Sequence, residues 1–273
     1  MTQKDKDKAH FTGMVGNVIT YTRKDSDKLF MRTKGSLNKK RIAKAPEFAN
    51  TRKQNSEFGG CSSFAANIKH NFVNLQKLSD IAINLKLAAI AKIIQQNDRV
   101  NEVGKRSIEL SKQKEYLVGF NFNKLQTFNT LFTGEYNALF NRQNLTLTLN
   151  FLPIIPHIHL PTKGDNHYYR WYVEVVVVSD SHYEERGGKY QFERKGVSIS
   201  STNSYNPSPW ITLTENRAAE RLEFNLEVSP YLPPITDADT FVVGLGIEFG
   251  KQLTDNLIVA TKQMGAAKII CVG

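Results

Sequence analysis

Residues 168–179 read YYRWYVEVVVVS. Aromatic and β-branched side chains occupy positions of both parities, so neither face of a strand here is left for water. Such a run predicts a central strand buried on both faces. On its N-terminal side, Leu145, Leu147, Leu149 and Phe151 alternate with Thr146, Thr148 and Asn150, the period-two pattern of a half-buried strand. On its C-terminal side, strands are predicted at 189–194, 196–200 and 210–214. Alternation returns in Leu222, Phe224, Leu226 and Val228, with Arg221, Glu223, Asn225 and Glu227 on the wet side. Segments 241–249, 257–261 and 267–272 complete the set. Seven or eight short strands, separated by Pro, Gly and Asn turns over about 130 residues, predict an antiparallel β-sandwich.

Ahead of this region the period changes. Phe58, Cys61, Phe64, Ile68, Phe72 and Leu75 recur at steps of 3, 3, 4, 4 and 3, one apolar stripe on a helix. The helical region starts at Ala45-Pro46-Glu47, with proline and an acid in the first turn. Gly59-Gly60 predicts a break or kink. Ser79 or Asp80 caps a further helix over 81–96, apolar on nearly every side and therefore expected to be buried. Residues 98–114 are polar and read as loop with a short helical piece, and 115–123 (EYLVGFNFN) reads as a strand containing a glycine. The expected fold class is α+β. A basic N-terminal β-hairpin and helices occupy 1–115, and the antiparallel sandwich occupies 116–273.

The front of the chain is set apart by charge. Residues 1–54 hold fourteen Lys and Arg against five Asp and Glu, a surplus of nine, so the rest carries only one of the chain's net +10. A leading segment that basic, ahead of a near-neutral body, is built to meet something else. Residues 15–22 and 28–33 read as two strands joined by the polar turn 23–27, with Gly13 and Gly16 allowing the backbone to bend. A lone two-stranded hairpin is marginal in water, so it must lie on something. The expected contact residues are Gly13, Gly16, Tyr21, Arg23, Lys24, Phe30, Arg32, Lys34, Lys39, Lys40, Arg41 and Arg52. Residues 1–10 form a lysine-aspartate tail, and 35–44 a basic linker.

The spacing of Gly13, Gly16 and Tyr21, followed by Arg32, resembles the opening of an uncharacterised family common in Bacteroidota. Its members begin with a GxxGxxxxY…R hairpin followed by an Arg-bearing helix. Pro46, Phe48 and Arg52 stand where that helix would lie, Gly119-Phe120-Asn121-Phe122-Asn123 looks like the family's GFxFN stretch, and 156–169 is similar to its approach to a long central strand. The resemblance implies a helical N-terminal half and a β-rich C-terminal half, and it brings no known activity.

The remaining features restrict function more than they define it. At 273 residues and 40% apolar, the chain is long enough for a sizeable core. Two cysteines, Cys61 and Cys271, make no disulfide framework and point to a reduced, cytoplasmic protein. No signal peptide and no membrane span are expected, because residues 1–10 are not followed by an apolar run and the greasiest stretch, 81–94, contains Asn84, Lys86 and Lys92. His157-x-His159 puts two imidazoles on one face of a strand but lacks a third ligand. Ser181-His182 with Glu184-Glu185 holds the residue types of a hydrolase but lies beside the turn Arg186-Gly187-Gly188. Asp237 and Asp239 read as a polar connection rather than paired catalytic carboxylates. Gly244-x-Gly246 lacks the helix start that a phosphate loop needs. No cofactor or catalytic residue is expected. The reading is a non-enzymatic structural subunit that self-associates through its basic arm into a homo-oligomer or filament. The alternative is nucleic-acid binding by the same arm, with its cations on phosphates and Tyr21 and Phe30 near bases.

Overall fold

The computed structural model describes residues 11–23, 26–34, 39–161, 165–194, 197–201, 207–227, 234–255 and 257–273, with side chains throughout except at 26, 27 and 197–201. It has the expected α+β composition. The chain divides into two compact units, Met1–Arg52 and Lys53–Gly273.

The first unit carries a three-stranded antiparallel sheet of β1 (Gly13–Val15), β2 (Val18–Arg23) and β3 (Ser26–Thr33), in that order. The strand expected at 15–22 is thus split. Val15 pairs with Val18 across the two-residue turn Gly16-Asn17, and Gly16 sits at φ +57°, a conformation that glycine adopts without cost. Lys24 and Asp25, in the expected connecting turn, lie outside the described residues, as does the tail 1–10. The basic linker contains a short helix, α1 (Lys39–Lys44), followed by a 3-10 turn over Pro46–Phe48. The next helix, α2 (Ala49–Asn71), starts within this unit and runs unbroken for 23 residues.

That continuity corrects the expected break at Gly59-Gly60. Gly60 is present for packing: a Cβ there would sit 2.6 Å from the Tyr190 ring, so the helix backbone needs the bare position to approach that aromatic. The body continues with a 3-10 turn over Leu75–Leu78, α3 (Ile83–Gln96), 3-10 turns at Leu110–Lys112 and Lys114–Leu117, and a single-turn helix α4 (Phe128–Leu131). The strand expected at 115–123 is therefore mostly 3-10 turn and irregular chain. Gly119 takes φ +84°, and past it a short run, 119–122, hydrogen-bonds to the edge of the last strand around Lys268.

Then come β4 (Tyr136–Asn141), β5 (Thr146–Phe151), the one-turn helix α5 (Pro156–His159) and β6 (Tyr168–Ser179). These are followed by β7 (Ser181–Glu184), β8 (Lys189–Phe192), β9 (Val197–Ser201), β10 (Ile211–Thr212), β11 (Glu220–Glu227), β12 (Asp239–Thr254) and β13 (Leu257–Val272). One sheet runs β13-β12-β6-β9-β11-β5-β4, with β10 also paired to β6, while β7 and β8 form a separate hairpin. The paired strands are antiparallel throughout. The sheet curls far enough that its two ends meet: the Phe140 ring of β4 lies 4.8 Å from that of Phe241, and Arg142 donates to the carbonyls of Asp239 and Gly273. The expected sandwich is thus one continuous curled sheet, whose halves face each other across a core.

β6 makes the architecture plain. Tyr169, Trp171, Val173, Val175 and Val177 point into the core enclosed by the curled sheet, with Phe128, Phe132, Phe151, Phe224 and Phe249. Tyr172, Val176 and Val178 point the other way, into a second core shared with Phe64, Ile68, Phe72, Leu75, Leu87 and Ile94. The helices of 53–96 therefore share a core with the sheet, and the expected boundary near 115 is no break in packing. Glu174, also on the helical side, accepts from the Asn74 and Leu75 amides at 2.9 and 3.0 Å, capping the 3-10 turn Leu75–Leu78. Gly244 and Gly246 of β12 lie beneath that turn, where any Cβ would run into Leu75. The Gly-x-Gly pair serves this close docking.

Candidate functional site

In an antiparallel sheet, directly paired residues share a face. In the arm, Met14, Ile19 and Arg32 fall in one cross-strand row and Tyr21 pairs with Phe30 in the next, all on a single face. The Tyr21 and Phe30 rings stack at 5.8 Å, the Arg23 guanidinium lies 4.5 Å over Phe30, and that of Arg32 lies 5.8 Å over Tyr21. Four of the expected contact residues are thus brought together, with cations covering aromatic faces.

The opposite face is aliphatic. Val15 pairs with Val18, Gly13 with Thr20, Thr20 with Met31 and Thr22 with Leu29. The Phe11 ring folds against Gly13, and the Thr20 hydroxyl donates to the Phe11 carbonyl at 2.8 Å. Phe11, Val15 and Met31 remain 56, 66 and 72% exposed, which leaves this face bare. β3 ends the sheet, with no further strand beside it among the described residues. The sequence reading missed the aliphatic face as a site, although alternation of Val18, Leu29 and Met31 with Ile19, Phe30 and Arg32 carried the signal.

The other expected contacts are more dispersed. Lys39, Lys40 and Arg41 lie on or at the start of exposed α1, where Arg41 pairs with Glu47 at 3.0 Å. Arg52 donates to the carbonyls of Ile42 and Ala45 at 2.9 and 2.8 Å, so it caps the end of α1 instead of facing outward. Lys34 follows β3 and is exposed, with its amide on the Asn17 carbonyl. Lys24 lies outside the described residues.

Each pattern set aside in the sequence has a structural explanation. His157 and His159 lie on the one-turn helix α5, not on a strand, and His159 Nδ1 accepts from the Ile155 amide at 3.1 Å. The two rings therefore do not share a strand face. Ser181 is fully buried, and His182 instead bridges Ser107 Oγ at 3.0 Å and Glu193 at 3.1 Å. Three backbone amides next to this serine–histidine–carboxylate chain have partners of their own. Gly104 N donates to Glu57, Ser107 N to Asp98 and Ile108 N to the Ser181 carbonyl. None of these three is left to hold an oxyanion. Asp239 is buried against Ser179 and Arg194, while Asp237 is exposed, so the two carboxylates do not act as a pair. Among the described residues no group of three or more His, Cys, Asp or Glu could hold a metal ion.

The most strongly perturbed carboxylate outside the arm is Glu57, fully buried on α2. Burial pushes its pKa up, but Arg106 in a two-pronged contact at 2.6 and 2.7 Å, the Gly104 amide and Lys92 together outweigh burial and hold it at about 2. Gln95 joins the cluster by donating to the Tyr190 hydroxyl and the Arg106 carbonyl. Each polar group in this cluster is turned toward another, so the cluster locks α2, α3 and the loop of residues 98–108 together. Cys61 beside it is pushed up to about 11 by burial, which makes it an unreactive thiol.

Comparison of the chain with protein-family models, with characterised proteins and with solved structures finds no match. Among the described residues no helix is long and apolar enough to cross a membrane.

Proposed function

We propose that the chain is a non-enzymatic structural subunit that self-associates through its basic N-terminal arm, building a homo-oligomer or filament. The observation that carries this reading is the bare aliphatic face of the arm sheet. Phe11, Val15, Val18, Leu29 and Met31 crowd one side of a three-stranded sheet that is too small to bury them itself. The arginines lie on the other face, so the aliphatic face can be covered without desolvating Arg23 or Arg32. The outer edge of β3 adds a row of backbone groups suited to strand addition. The family resemblance of Gly13, Gly16, Tyr21 and Arg32 supplies no activity and leaves this reading to rest on the arm alone.

The cation–aromatic face favours a second reading, contact with a single-stranded nucleic acid. The arginines already cover the Tyr21 and Phe30 rings, which makes those faces poor platforms for bases. Native mass of the full chain, measured by light scattering with and without nuclease, separates the two. Self-association predicts a nuclease-resistant oligomer that shrinks when residues 1–44 are removed or Met31 is replaced by Glu. A mass unchanged by both arm alterations refutes it. Collapse of the particle on nuclease treatment, with binding that weakens steeply in salt, supports the nucleic-acid reading instead.

A further inference from the structure

Where β12 and β13 run together, one long stretch of β13 stands away from its partner. Glu248 pairs with Gly265 and Gly250 with Ala260, so Thr261–Met264 lie opposite the single residue Phe249 and bulge outward. Within the bulge Gln263 holds φ +61°, a conformation uncommon for a residue with a side chain. Together with the 3-10 turn Leu75–Leu78 and Asn123, the bulge encloses a cleft of about 270 Å³. Bulges and strained backbone of this kind occur beside binding sites more often than elsewhere.

The cleft contains one carboxylate, Glu248, whose side chain is only 16% exposed. Arg170 donates to it twice, from Nε at 2.8 Å and Nη2 at 2.6 Å, and the Tyr172 hydroxyl adds a third bond at 2.7 Å. All three donors fall on Oε2. The guanidinium is fixed in turn, 4.3 Å from the Trp210 ring and 5.4 Å from that of Tyr172. Oε1 accepts from no described residue and is open to solvent. The other polar groups are donors. Asn123 Oδ1 is committed to the Leu125 and Gln126 amides at 2.9 and 3.2 Å, which leaves Nδ2 for the cleft. Lys77 enters from the 3-10 turn, its ammonium on the neutral Asn74 Oδ1 at 3.1 Å, and Lys262 enters from the bulge. Arg170 balances Glu248, so the two lysines give the lining a surplus of positive charge.

We infer that this cleft binds a small phosphorylated polyol of the sugar-phosphate class, with its phosphate on Lys77 and Lys262 and a hydroxyl donating to Glu248 Oε1. A dianionic phosphate matches the charge of two lysines, which hold such groups as point charges. A bare anion would leave Glu248 Oε1 without a donor, whereas a hydroxyl supplies one. A simple cation drawn to Glu248 would be repelled by both lysines. A nucleic-acid strand would find no continuous cationic track here. The volume lies below the range of about 300–1,000 Å³ typical for drug-sized ligands, and suits one molecule of monosaccharide size. The site is built entirely from the second unit and does not depend on the arm.

Isothermal titration calorimetry of the full chain tests the inference, with ribose 5-phosphate and glucose 6-phosphate as probes and inorganic phosphate and free ribose as their fragments. At least one sugar phosphate is expected to bind tenfold or more tightly than either fragment. Lys77→Ala with Lys262→Ala is expected to weaken that binding at least tenfold; both side chains are at the surface, so the fold is kept. Glu248→Gln should bring the sugar phosphate down toward inorganic phosphate without weakening inorganic phosphate itself. Lys189→Ala, at an exposed position of β8, should leave every affinity unchanged and so exclude general attraction to a basic chain. Absence of binding by both sugar phosphates, or affinity no greater than that of inorganic phosphate, overturns the site. Binding indifferent to the paired lysine change also overturns it, because the phosphate would then lie elsewhere on the chain.

Discussion

β6 and β3 are strands of similar chemistry with opposite fates. Both carry aromatic and aliphatic side chains on two faces, but β6 is covered by a core on each side while β3 and its neighbours expose Val15 and Met31 on one face and Met14 on the other. The difference lies in what the rest of the chain supplies. Around β6 there are curled strands on one side and two helices on the other, and the carboxylate that enters on the helical side is answered, Glu174 by Asn74 and Leu75. Around β3 there are two short strands and an excess of cations. The body is thus stabilised by packing, while the arm sheet leaves Val15 and Met31 exposed.

The largest test of that contrast is Glu57→Ala. Removing the buried carboxylate leaves Arg106 and Lys92 facing a cavity, and losing one partner of a buried ion pair costs about 3–5 kcal/mol. Chemical denaturation is expected to show this loss of stability in the body. A variant as stable as the parent would mean that the cluster is not the lock the geometry describes. Gly244→Val comes next. Its side chain must displace Leu75, and overpacking of this kind costs about 1–3 kcal/mol, read as a lower denaturation midpoint.

Acid provides a smaller and graded test. Burial raises the pKa values of both Glu57 and Asp98, yet their hydrogen bonds bring each to about 2, below the ordinary carboxylate range near 4. A carboxylate whose folded pKa is depressed stabilises the fold above its unfolded pKa, and that contribution fades as pH falls from about 4 to 2. Asp180 opposes them weakly, because burial raises its pKa despite its bonds to Ser111. The body is therefore expected to lose stability progressively across that interval, and Glu57→Gln to flatten the profile. A midpoint constant from pH 5 to 2 would contradict the linkage.

Much of this architecture was readable from the residues. The span 168–179 is a strand with the expected limits and two buried faces, and the alternation of 145–151 places Leu147, Leu149 and Phe151 in the core. Where the reading failed, a distant neighbour decided the outcome. Gly59-Gly60 resembles a helix break until Tyr190, 130 positions along the chain, is seen resting on Gly60. Residues 115–123 carry strand-like alternation, but a 3-10 turn takes Lys114–Leu117 and only the run 119–122, past the bend at Gly119, hydrogen-bonds to β13. The separate strands expected at 257–261 and 267–272 merge into β13, because Gln263 at φ +61° and the register shifts against β12 absorb the polar interruption. The helix over 81–96 was expected to be wholly buried, but Leu85 and Ile93 stay exposed. An apolar circumference does not say how much of it the same chain covers. For the arm, the residues chosen by charge and aromaticity did cluster, but the aliphatic face behind them drew no notice because no single residue there stands out.

The smallest expected effect is the most discriminating. Met31→Ser lies on the bare aliphatic face, 72% exposed, where a substitution changes folding stability by no more than about 0.5 kcal/mol. The same change removes an apolar side chain from the surface proposed to meet another copy, so the assembled mass at a fixed low concentration should fall while the denaturation midpoint holds. Glu57→Ala should do the opposite at first, lowering the midpoint while the remaining folded protein still assembles. If Met31→Ser destabilised the fold as much as a core substitution does, the face would already be covered within its own chain, and the distinction between a self-sufficient body and an arm in need of a partner would be lost. If it changed neither stability nor mass, the aliphatic face would be exposed without purpose, and the arm's function would have to be sought on the side of Arg23 and Arg32.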